Sequence, residues 1–289
     1  MIVGHEELIR DLRARADRSA LGHSWIIFGP RGVGKATVAR ALARYVETGV
    51  FEDGGSPRST QGGAGIRPLS DAIFVTAEHE ADSIGIDRAR EIRAFLAQTP
   101  LVGPRRTVVI EAGERLTPEA QNALLKVAEE PPQAALIILV VDDPERLLPT
   151  LRSRFAEVHA GAVPEAKIAK WLVGYHGVAA KDAALAAKKS FGAPGFAWRI
   201  AKDEAFGALR EKAEKLLALP LAARKAFVKE LTDEEEFDAE AFLEMILFVL
   251  VWGSRKNFPL WHKVLELRSE LNSYNLNPRL HLTALAQEL

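Results

Sequence analysis

The chain of 289 residues contains no cysteine. That excludes disulfides, thiolate metal sites and cysteine nucleophiles. It also lacks a long apolar run: an uncharged one such as Met245 to Trp252 falls far short of the roughly 20 residues that cross a bilayer. Net charge is nearly absent, with 38 basic against 39 acidic residues and a balance of -1. Such a chain is not expected to coat nucleic acid by itself, although local basic clusters are still allowed. No secretory pattern opens the sequence, so a cytoplasmic protein with no membrane partner is expected. What is abundant is ordinary globular material, 48% hydrophobic and 27% charged, enough for two or three domains around a substantial core.

Five short β-branched or aromatic runs mark the first part of the chain: Trp25–Phe28, Ile73–Thr76, Thr107–Glu111, Leu136–Val141 and Ala156–His159. They alternate with amphipathic helical patterns, which predicts a parallel α/β sheet whose strands are covered on both faces. Residues Phe51 to Pro68, rich in Gly, Ser and Pro, read as a mobile surface insertion. From Pro164 onward the pattern is helical throughout. Helix starts are predicted near Pro164, Lys181, Pro194, Asp203, Leu221, Asp238, Pro259 and Asn277, several marked by a capping residue or an N-terminal proline.

After the first run comes Gly29-Pro-Arg-Gly32-Val-Gly34-Lys35-Ala36-Thr37. In a phosphate-binding loop the glycines turn successive backbone N–H groups toward phosphate and the lysine reaches the same oxygens. The next residue's hydroxyl then binds Mg²⁺. Here that residue is Ala36. Thr37 carries a hydroxyl, but one step along a helix turns a side chain by about 100°, away from the metal position. The loop is therefore expected to hold phosphate and to be poorly equipped to cleave it. A Gly-rich turn with no ligand is the plain alternative.

A cleaving site also needs acids at the end of a later strand, one for the metal and one to activate water. The matching strand ends Ile110-Glu111-Ala112, which keeps one carboxylate and lacks the second. Glu111 reads equally as a metal-directed acid or as a strand-end carboxylate at a solvated edge. Glu114 lies beyond the strand end. Further on, Thr117-Pro118-Glu119 is a well-specified helix start, and Pro131-Pro132 forces the end.

Asn122-Ala-Leu-Leu-Lys126 with Glu129-Glu130-Pro131-Pro132, then Asp143-Pro144-Glu145-Arg146-Leu147-Leu148 and Thr150-Leu-Arg152-Ser153-Arg154-Phe155, resemble in order and spacing the clamp-loader branch of the AAA+ ATPases. His23 and the stretch Ile84 to Arg93 fit the same pattern. The family has a motor type of subunit, tau/gamma, with an intact loop and acid pair, and a delta-prime type in which both are eroded. The chain resembles the delta-prime type, and Gly192-Ala193-Pro194-Gly195, where the motor type carries a nucleotide-sensing arginine near position 195, strengthens that likeness. So does the closing Tyr274-Asn-Leu-Asn277-Pro278-Arg279-Leu280.

The resemblance implies a P-loop parallel-sheet domain over 1–162, a small helical lid over 163–203 and an all-α collar over 204–289. It implies a stator inside a clamp loader, with tau/gamma and delta subunits, the sliding clamp and primed DNA as partners, and negligible ATPase activity of its own. Arg154 would act in trans on a neighbour's ATP, with Ser153 setting its position. Gly29, Gly32, Gly34, Lys35, Thr37 and Glu111 would form a degenerate nucleotide site that requires no cofactor and holds ATP or ADP without cleavage. Clamp-loader relatives carry a four-cysteine zinc module where this chain has Phe51–Pro68, so no zinc is expected there. An active motor subunit, a small-molecule phosphotransferase and a scaffold with a vestigial loop are the alternatives. For Arg152, Arg154 and the helical row Arg88, Arg90 and Arg93, the plain reading is a solvated face paired with surface acids such as Asp87 and Glu91. For the row, the functional reading is contact with phosphates.

Overall fold

The computed structural model describes residues 2–51, 68–76, 83–234, 237–252, 263–264, 267 and 277–288. The chain divides into two compact units, Met1–Ala197 and Trp198–Leu289.

All five expected strands are present in the first unit, each within one residue of its predicted ends: β1 Ser24–Phe28, β2 Ala72–Val75, β3 Arg106–Glu111, β4 Ala135–Val141 and β5 Ala156–His159. They form one parallel sheet in the order β2-β3-β4-β1-β5. Every residue of β4 is buried, as its unbroken apolar sequence requires, whereas β5 at the sheet edge is mostly exposed and mixes Glu157 and His159 into its four residues. Parallel strands need crossovers, and helices supply them. These are α2 Lys35–Thr48, α3 Ile86–Leu96, α4 Pro118–Glu129 and the short α5 Pro149–Arg152, preceded by α1 Glu6–Asp17.

Successive strand residues face opposite sides. Val108, Ile110, Ile137 and Leu139 pack with Ile92 and Leu96 of α3 and Leu124 and Val127 of α4. On the other face Ile27, Val109, Leu136, Ile138 and Val140 pack with Leu12 of α1 and Val38 and Leu42 of α2. Three helices follow the sheet: α6 Glu165–His176, α7 Ala180–Lys189 and α8 Pro194–Lys202. The division between the units falls inside α8.

A buried ion pair fixes the edge of the sheet opposite β5. Asp71, with no exposed surface, accepts the backbone N–H groups of Leu101, Val102 and Gly103 at 2.6–2.7 Å and pairs with Arg106 at 3.2 Å. Burial alone would raise its carboxyl, but those N–H donors and the Arg106 guanidinium hold it below the ordinary value. Arg106 in turn donates to the carbonyls of Thr99 and Ser70.

The second unit is helical among its described residues: α9 Glu204–Ala218, α10 Leu221–Thr232, α11 Ala239–Trp252 and α12 Pro278–Glu288. Asp203 caps α9 by accepting from Phe206 N. Phe242, Ile246 and Leu250 of α11 are buried within this unit, and Phe206 meets Phe248 edge to face. Arg224 of α10 donates to the Ala286 carbonyl and so ties α10 to α12. Residues 52–67 of the insertion expected over Phe51–Pro68, the helix expected at Pro259, and Tyr274 to Leu276 lie outside the described residues.

Candidate functional site

The loop after β1 lies where parallel sheets present ligands, beyond the carboxyl ends of the strands. Gly32 and Gly34 have φ of 80° and 107°, and Gly34 is the N-cap of α2, so the loop bends as a phosphate cradle requires. Its outer flank is covered. Gly195 N donates to the Gly32 carbonyl at 2.9 Å, and a methyl group on Gly32 would stand 2.9 Å from the Phe196 ring. On the other flank His5 Nε2 bonds the Val33 carbonyl at 2.9 Å. A cavity of about 450 Å³ opens beside the loop, lined by Ile2, Val3, Gly32, Gly34, Lys35, Ala36, Thr37, Glu111, Asp142, Trp171 and Gly195 among others. Thus Gly32, Gly34, Lys35, Thr37 and Glu111 are brought together. Gly29 contributes from beneath through its carbonyl, while Ser153 and Arg154 do not line the cavity.

The charges of this cradle are satisfied internally. Lys35, 6% exposed, donates to the carbonyls of Gly29 and Pro30 at 2.7 and 2.9 Å and to Asp142 Oδ1 at 2.7 Å. An ammonium has three donors, and all three are used. Both carboxylate oxygens of Glu111 accept from the Arg40 guanidinium of α2, at 2.6 and 2.7 Å. Neither Asp142 nor Arg40 stands out in the sequence. Behind Asp142 lies Glu114, whose Oε2 is buried without a hydrogen-bond partner; burial, with the Asp142 charge nearby, pushes its carboxyl up.

Ala112, where the water-activating acid would stand, has φ 55° and ψ 55°, a left-handed conformation disfavoured for a residue with a Cβ. No acid uses this strained turn. The donor set suits the phosphates of a nucleotide, whose negative charge matches glycine N–H groups and Lys35. It does not suit the magnesium that accompanies ATP, since position 36 has no hydroxyl and Glu111 is engaged by Arg40.

A second cation sits apart from the cradle, on the turn after α5. Thr117 caps α4 as its sequence predicts, accepting from Ala120 N. The buried Gln121 then donates to the Leu116 carbonyl and accepts from Leu148 N at 2.7 Å, fixing the approach to α5. Beyond it, Arg154 folds over this turn. Its Nη1 donates to the Thr150 carbonyl at 2.7 Å and to Ser153 Oγ at 3.2 Å, and its Nη2 pairs with Glu129 Oε1 at 2.5 Å. Arg154 remains 35% exposed and Glu129 48%. Arg152 is held differently: Glu157 and Glu145 both pair with it and push its guanidinium up. On α3, Arg88 pairs with Glu91 and Arg90 with Asp87, the plain arrangement for a solvated helix face.

Comparison with known proteins bears on this geometry. The family model described as "DNA polymerase III, delta subunit" matches residues 4–162, more than half of the chain. The DNA polymerase III subunit delta' of Escherichia coli K12 is 33% identical over 180 residues, 61% of this chain and 53% of that protein. The subunit delta' of Pseudomonas aeruginosa PAO1 is 31% identical over 54% of this chain and 48% of its own length. The gamma/tau subunit of Mycobacterium tuberculosis H37Rv is 30% identical over 53% of this chain and 27% of its own. The chain thus spans about half the length, or less, of the curated relatives it matches. Among solved structures, a DNA polymerase III gamma subunit-related protein from Thermotoga maritima superposes with a TM-score of 0.54 at 21% identity, covering 97% of this chain and 98% of that one. A RuvB variant from the same organism gives 0.51 at 18%, covering 96% and 87%. These two likenesses show the fold, an AAA+ parallel sheet followed by helices. With the family match across the sheet and the glycine loop after β1, the chain belongs to the DNA polymerase III delta-subunit family of clamp-loader proteins.

Proposed function

We propose that the chain is a delta-prime-like stator of a replicative clamp loader: it does not cleave ATP itself and offers Arg154 to ATP bound by a neighbouring motor subunit. The observation that carries this reading is the bidentate pair of hydrogen bonds that Arg40 donates to Glu111. It engages the only acid at the end of β3, in a site that already lacks the position-36 hydroxyl and an acid at 112. A general base or metal-holding acid must be free to act, and this one is neutralised. Arg154 supports the second half of the reading. It is partly exposed at the α4–α5 edge, Ser153 accepts from it, and its ion-pair partner is an exposed glutamate.

Residues 1–162 act in this reading as the AAA+ domain, 163–203 as its lid and 204–289 as a collar that holds the assembly together. The partners are tau/gamma and delta subunits, the sliding clamp and, through the complex, primed DNA, all in the cytoplasm. The cradle binds ATP or ADP at most, with no required cofactor. An arginine supplied in trans contributes about 10³-fold or more to phosphoryl transfer. Arg154→Ala should therefore remove one site's share of the fast phase when the assembled complex hydrolyses ATP in a single turnover, while assembly is retained. An unchanged fast phase overturns the finger role. Brisk magnesium-dependent ATP hydrolysis by the isolated chain overturns the stator role.

A further inference from the structure

We propose that Asp142 is a built-in competitor for phosphate: its carboxylate occupies the Lys35 donor that a nucleoside di- or triphosphate would use, and such a ligand enters only as Asp142 swings away. The register of the sheet creates this juxtaposition. Phe28 of β1 lies opposite Val141 of β4, so the first residues beyond the two strands, Gly29 and Asp142, emerge side by side.

The other two partners of Lys35, the Gly29 and Pro30 carbonyls, belong to the loop that carries it and are neutral. Asp142 alone brings a charge, and charge-assisted hydrogen bonds are about twice as strong as neutral ones. The two ends of the pair differ in freedom. Lys35 is 6% exposed and fixed inside the loop, whereas the Asp142 side chain is 45% exposed and borders the cavity. The pair therefore opens from the aspartate side, into solvent, and leaves an intact cradle behind. While it is closed, an arriving phosphate meets a carboxylate instead of an ammonium. The cradle is gated by its own acid rather than dismantled. This inference rests on residues 29–37 being a phosphate cradle and does not depend on the role of Arg154.

The test is calorimetric titration of the full chain with ADP, in the presence of a chelator. Asp142→Ala should bind ADP about tenfold more tightly than the native chain, a conservative figure for releasing one half-exposed charge-assisted bond. Asp142→Asn, which keeps the shape and removes the charge, should gain part of that and guards against a fold defect in the alanine variant. Adding Lys35→Ala to either should erase the gain. If neither variant binds ADP more tightly than the native chain, or if the gain survives loss of Lys35, the competitor role is wrong. Failure of the Arg154 reading shows separately, in single-turnover hydrolysis by the assembled complex.

Discussion

Lys35, at the start of α2, and Arg154, on the turn after α5, are both cations of the first unit, and the chain surrounds them in opposite ways. Lys35 is buried with every donor used, two by its own loop and one by Asp142. Arg154 is bonded to the turn that carries it, and its only described ion pair is to Glu129, itself half exposed. An exposed pair of that kind contributes about 0.2–1 kcal/mol, so a phosphate from outside can outcompete it. The difference teaches where a charge is available for exchange in this chain: the Lys35 ammonium is saturated from within, whereas the Arg154 guanidinium keeps a partly exposed surface and a weak, exposed partner.

That contrast can be sharpened first at a place that takes part in neither role. Asp71→Asn leaves Arg106 buried without its counter-charge and should cost about 3–5 kcal/mol, lowering the melting temperature by about 10 °C in a chain of this size. Turnover per folded complex should not change; if it falls in proportion, the edge is not a separate functional region. The carboxyl titrates below its ordinary 3.8. The stability it contributes is therefore complete above that value and is lost as pH falls through the lower folded-state pKa. The gap in melting temperature between native and variant chains should accordingly close toward acid, and a gap that is constant with pH contradicts the account.

A smaller effect is expected at Gln121, which holds the approach to α5. Gln121→Ala strands Leu148 N and the Leu116 carbonyl, at about 1–3 kcal/mol. Because the same bond seats the turn bearing Arg154, the variant complex should also hydrolyse ATP more slowly at saturating ATP. A loss of stability with full turnover would detach Gln121 from the arginine edge. The smallest effect concerns Glu129. Glu129→Gln frees Arg154 from its pair and should lower the ATP concentration for half-maximal turnover about two- to fivefold, the range of an exposed ion pair. The advantage should shrink as salt screens the native pair. No change at low salt would mean that Glu129 does not restrain the arginine.

Much of the sheet is legible in the sequence because its strands are covered on both faces and so read as apolar runs. Leu136–Val141 could hardly be anything else, and even edge strand β5 was marked by its place between helical patterns. The start of α4 is legible because Thr117 and Pro118 act locally, through one capping bond and one fixed dihedral. The cradle's residue types were legible too, including the missing hydroxyl and acid. Their partners were not. Arg40 and Glu111 are 71 residues apart, and Lys35 and Asp142 are 107 apart. Only the strand order, with β4 beside β1, brings the second pair together, and periodicity does not reveal strand order. Asp142 was also masked by its neighbour: Asp143 opens the recognisable motif, yet its side chain only caps the turn at Pro144–Arg146.

The glycine loop after β1 is braced from residues ahead of α1 as well as from α8, since His5 bonds to Val33 while Ile2 and Val3 form part of the cavity wall. A bulky label attached at Val3 would therefore alter the very pocket it was meant to report on. Handles for immobilising or imaging this protein belong elsewhere on its surface.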